Sequence, residues 1–80
     1  MGKYKDEGPE LSDFLGKIGS NIRAIRERKG LTLEEVEEAG FASWRHLQRI
    51  ESGKQPFTIS TLYRVARALK VKPSELLKGY

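Results

Sequence analysis

The 80-residue chain contains no cysteine. That excludes disulfides, thiolate metal sites and cysteine nucleophiles, and it fits a reducing compartment. It also has a single histidine, His46. No carboxylate–serine arrangement and no metal-spaced set of ligands accompanies that histidine, so no catalytic residue, metal site or cofactor motif is expected. Apolar runs are short as well. None approaches the roughly 20 residues of a membrane span, and the opening MGKYKDEGPE lacks the apolar core of a signal peptide. A soluble cytoplasmic protein with one small core is the expectation. Strand-like stretches, internal repeats and low-complexity tracts are absent.

Acidic residues are scarce in the second half. Residues 1–42 carry seven Lys/Arg and nine Asp/Glu, a net −2, whereas residues 43–80 carry eight and two, a net +6. The overall charge is +4 and the pI about 9.6. A basic half suits a polyanionic partner.

Helical periodicity organises the rest. Residues 1–10 are polar and read as a flexible arm. A single domain follows over 11–80. Its first helix carries Leu11, Phe14, Leu15, Ile18, Ile22 and Ile25 at steps of three and four, and Gly30 closes it after the basic turn Arg28-Lys29. Gly16 and Gly19 weaken its first half, which moves the expected firm start to about Lys17. Thr32 followed by Glu35 is a capping box for a short second helix, with Leu31 and Val36 placed as a hydrophobic staple. Ser43 caps a third helix from about Trp44 to Ser52, stopped by Gly53. KQPF is a loop. Thr58 caps a fourth helix with an inner stripe of Ile59, Leu62, Val65, Ala66 and Leu69. Pro73 occupies a first helical position, and SELL starts a fifth helix.

The third helix divides into distinct faces. At about 100° per residue, Leu47 and Ile50 share the inward direction, while Arg45, Gln48, Arg49 and Ser52 lie within about 50° of the opposite one. Trp44 and His46 fall on the flanks, and Glu51 is an edge position turned partly inward. The outward face therefore holds two arginines, a glutamine and a serine, with no acid. Arginine makes paired donor contacts to guanine, and glutamine does the same to adenine. Trp44 on the flank can pack on sugar or on a thymine methyl. The plain alternative is a solvated face with Trp44 half-buried against a neighbouring helix.

The segments IGSNIRAIRERKGLT, EEVEEAG, RIESGK and TLYRVARALKVKPSELL, in that order and spacing, resemble the phage-repressor-like (Cro/Xre-type) helix-turn-helix family over roughly residues 18–77. The resemblance implies an all-α fold: a compact five-helix lambda-repressor-like domain whose second and third helices, about residues 32–52, form the helix-turn-helix. It implies double-stranded DNA as the partner, the third helix in the major groove, and a homodimer. Trp44, Arg45 and Arg49 match the usual base-contact positions, and Gln48 also faces outward. Candidate phosphate contacts are Thr32 and Ser43 at two helix N-termini, Ser52, and Lys54 and Gln55 in the loop. Arg26 and Glu51 match a structural ion pair between the first and third helices.

The chain departs from the family pattern in four places. Leu33 replaces a phosphate-binding glutamine, and Glu37 replaces an alanine where two helices approach, so its carboxylate must tilt outward or find a partner. Gly40 stands one position early, which predicts that the second helix stops one residue short, that Gly40 takes a positive φ, and that Phe41 plugs the core. Pro56-Phe57 places proline first rather than second. With Glu34, Glu35 and Glu38, Glu37 makes the second helix acidic, and that leaves room for a protein partner. Two functions follow: a sequence-specific DNA-binding transcriptional regulator, or a protein-interaction module on the same fold. Leu76, Leu77 and Tyr80 either complete the core or form a dimer seam.

Overall fold

The computed structural model of the chain describes residues 8–41 and 43–79. Most of the expected arm and Tyr80 lie outside the described residues. Five helices follow one another: α1 (Gly8–Arg28), α2 (Leu33–Glu38), α3 (Trp44–Glu51), α4 (Ile59–Leu69) and α5 (Pro73–Leu76). No strand occurs among the described residues. The architecture is the all-α, five-helix one expected.

One core joins all five helices. Ile18, Ile22 and Ile25 of α1 meet Val36 of α2, Leu47 and Ile50 of α3, Leu62, Val65 and Leu69 of α4, and Leu76 of α5. Leu76 is fully buried and Leu77 packs partly against the same cluster, so both serve the core.

Local chemistry sets the boundaries. The Thr32 hydroxyl accepts from Glu35 N at 3.0 Å, and the Glu35 carboxylate accepts from Thr32 N at 2.8 Å, satisfying N–H groups that have no helical partner. Helix α2 ends at Glu38, with Ala39 as its cap. Gly40 takes φ 119°, and the chain turns so that Phe41 drops into the core at 4% exposure, its N–H bonded to Val36 O. Thr58 Oγ1 caps α4 by accepting from Thr61 N. Lys70 closes α4 in the left-handed region at φ 60°, where an L-residue is strained.

Two expectations need correction. Helix α1 begins at Gly8 and runs unbroken through Gly16 and Gly19. The glycines are not a weak start but the place where α3 lands. A Cβ on Gly19 would stand 2.6 Å from Glu51 O and nearer still to Ile50 O, and one on Gly53 would meet Gly16 Cα at 2.8 Å. What glycine costs in helix propensity at position 19 is offset by an approach that no larger residue permits there. The other correction concerns Ile59, assigned to the inner stripe of α4 but 79% exposed. It is the first residue of the helix, so it lies beyond the core that Leu62, Val65 and Leu69 reach. Ala68, absent from the expected stripe, is buried instead.

Candidate nucleic-acid interface

The site is built on α3, which is held at both ends. At its start, Ser43 Oγ accepts from Arg45 N at 3.2 Å and from His46 N at 3.4 Å. A second acceptor comes from α2: the Glu37 carboxylate takes the Trp44 N–H at 3.2 Å. This is the partner that Glu37 needed. One carboxylate of the acidic helix thus caps the helix that follows it, near the positive end of that helix's dipole.

At the other end, Arg26 and Glu51 pair through two parallel bonds, Nε to Oε2 at 2.7 Å and Nη2 to Oε1 at 3.0 Å. Their side chains are 12% and 6% exposed. Arg26 Nη1 also donates to Leu31 O at 2.8 Å, so one guanidinium ties the α1–α2 turn to the end of α3. Donating to the Glu51 carboxylate raises the Arg26 pKa above its ordinary value, against the opposing effect of burial. A raised cationic pKa stabilises the fold below the unfolded value and is lost only as pH climbs through the folded one. Arg26's own titration therefore leaves neutral pH untouched.

Between these anchors the faces separate. Leu47 and Ile50 are fully buried. Arg45, Gln48 and Arg49 are exposed, and none of their side chains hydrogen-bonds to the rest of the described protein. The Arg45 guanidinium lies 5.1 Å from the centroid of the half-buried Trp44 ring, a cation–π distance that steadies a long side chain. His46, on the flank, packs its ring 5.5 Å from that of Phe41.

Two shallow depressions border the outward face. One, about 640 Å³, is lined by Gln48, Arg49, Ser52, Lys54 and Gln55. The other, about 280 Å³, is lined by Arg45, His46, Arg49 and Gln55. The structure thus brings Arg45, Gln48, Arg49, Ser52, Lys54 and Gln55 onto one surface. The hydroxyls of Thr32 and Ser43 accept in their caps and keep a proton to donate outward. Ser52 differs: its hydroxyl donates to Arg49 O at 3.0 Å, so a phosphate contact from it needs that bond to be exchanged.

A helix-turn-helix family model matches residues 22–76, well over half of the chain. The chain belongs to the helix-turn-helix family of Cro/C1/Xre type. It is 43% identical over 65 residues to the uncharacterised helix-turn-helix-type transcriptional regulator y4dJ of Sinorhizobium fredii, a match covering 81% of this chain and 84% of that one. Its fold is similar to the crystal structure of the restriction-modification controller protein C.AhdI from Aeromonas hydrophila, with a TM-score of 0.73, 27% identity, and coverage of 78% of this chain and 94% of the other. The family is one of DNA-binding transcriptional regulators rather than of enzymes. No described helix is long and apolar enough to cross a membrane.

Two contributors do not show in the sequence alone. Gly19 reads there only as a poor helix former. Glu37 reads as out of pattern, but nothing local names the N–H that it caps.

Proposed function

We propose that this helix-turn-helix regulator reads specific DNA sequences by seating α3 in the major groove, as a cytoplasmic homodimer. The observation carrying this reading is the outward face of α3. Arg45, Gln48 and Arg49 project from a helix fixed at both ends, carry no structural hydrogen bonds, and have no acid among them. Pre-set geometry matters because bidentate contacts to guanine and adenine tolerate little misplacement. Trp44 flanks this set and braces Arg45 while offering an apolar edge to a sugar or thymine methyl. Thr32, Ser43, Lys54 and Gln55, with Ser52 after exchange of its hydrogen bond, contact phosphates and set the register.

The test is a selection from random duplex DNA at fixed salt. The expected product is a palindromic site with half-sites about one helical turn apart, roughly 34–36 Å. In the same assay Arg49→Ala should cost about 1–3 kcal/mol on the selected site and relax one base position. Lys54→Ala should weaken all sequences alike and lower the salt slope by about one. A selection that enriches no sequence, with both variants binding as the parent does, refutes the reading.

A further inference from the structure

A second surface shares no lining residue with the depressions on the reading face. Along α4, Ile59 and Tyr63 are 79% and 53% exposed, one helical turn apart. They line an open groove of about 910 Å³ between α4 and the Ala39-Gly40 corner that ends α2. Arg64, Arg67 and Lys70 line the same groove. Helix α4 contains no acidic residue, and among the described residues none of these three cations is in an ion pair.

We propose that this groove docks an acidic segment of a partner protein, with apolar side chains seated on Ile59 and Tyr63 and carboxylates paired to Arg64, Arg67 and Lys70. Charge decides the occupant. Pairing α4 with α4 of a second copy brings two sets of the same cations together with no carboxylate on either helix, a juxtaposition that opposes association. A duplex satisfies the cations but leaves the two apolar side chains without purpose, because phosphate binding is electrostatic. An acidic peptide with apolar anchors uses both. Tyrosine and arginine are also the residue types that concentrate binding energy in protein interfaces. The proposal is independent of the DNA reading, since it draws on none of the α3 side chains.

The experiment is a selection from a randomised, displayed peptide library with the full chain as bait and a Tyr63→Ala/Arg67→Glu chain as counter-selection. The expected winners are net acidic and carry two or more apolar residues. A synthetic winner, followed by fluorescence anisotropy, should bind Tyr63→Ala on the order of tenfold more weakly. It should lose measurable binding to the Arg64→Glu/Arg67→Glu chain and weaken as salt rises. Thermal melts by circular dichroism confirm that the variants fold. The proposal is overturned by a library that gives no sequence distinguishing parent from counter-selected chain, or by winners that are neutral or basic. It is overturned equally if Tyr63→Ala lowers the sedimenting mass, which makes the face a seam between copies. Finally, if Arg64→Glu/Arg67→Glu loses DNA affinity while binding the peptide normally, the face is a phosphate surface. Running the DNA selection on Tyr63→Ala keeps the two readings separable, because that variant should return the parental site.

Discussion

The two ends of α3 are fixed by opposite means. Its start is held by hydrogen-bond caps alone, an exposed one from Ser43 on Arg45 N and a partly buried one from the Glu37 carboxylate of the neighbouring helix. Its finish is held by a largely buried ion pair and by backbone lying directly against the α1 glycines. Such caps are individually modest, typically about 1 kcal/mol each. A buried pair and a side-chain-free crossing yield only when the packing itself fails. Helix α3 is therefore anchored at its C-terminal end and trimmed at its N-terminal end, where Trp44 and Arg45 sit.

That contrast can be broken experimentally, starting at the anchored end. Glu51→Ala leaves Arg26 buried with one carbonyl partner and should cost about 3–5 kcal/mol in urea denaturation. Glu51→Gln should recover part of it by keeping the shape and one acceptor. If Glu51→Ala is as stable as the parent, the pair is no anchor. Gly19→Ala comes next. Its methyl meets two backbone carbonyls that no rotamer change can move, so a loss near the top of the roughly 1–3 kcal/mol overpacking range is expected. An unchanged melting temperature excludes the close crossing.

At the trimmed end the effects shrink. Ser43→Ala should cost about 1 kcal/mol, the usual worth of an N-cap side chain. Glu37→Gln keeps an acceptor for Trp44 N but removes the charge near the helix dipole, so a loss of about 0.3–1 kcal/mol is expected, largest at low salt. Amide exchange at Trp44 checks the geometry: Glu37→Ala should speed it, whereas Glu37→Gln should not. Equal losses at the two ends would mean that both are fixed alike.

Much of this design is written locally and so was readable in the chain. Thr32 with Glu35, Ser43 and Thr58 announce their helices because a cap acts on N–H groups two or three residues away. The roles of Gly40 and Phe41 follow from the family resemblance, which sets where the turn glycine falls between Thr32 and Ser43. The misassignments are all non-local. The glycine at position 19 looks like a defect until the α3 backbone arrives on it. Ile59 satisfies the periodicity of α4, yet periodicity does not say where the core ends along the axis. Glu37 was legible as a problem but not as its solution, because the solution is a single N–H on another helix. The outward face of α3 was legible by arithmetic, since two buried anchors three residues apart fix the direction of every other side chain on a helix.

The side chains of Arg45, Gln48 and Arg49 carry no hydrogen bond that the fold depends on. Exposed substitutions away from such features typically change stability by no more than about 0.5 kcal/mol. Mutation at these three positions is thus nearly free of penalty to folding. Under the proposed function, lineages could exchange the DNA address while inheriting the same fold, which makes binding preference and foldability separately heritable traits.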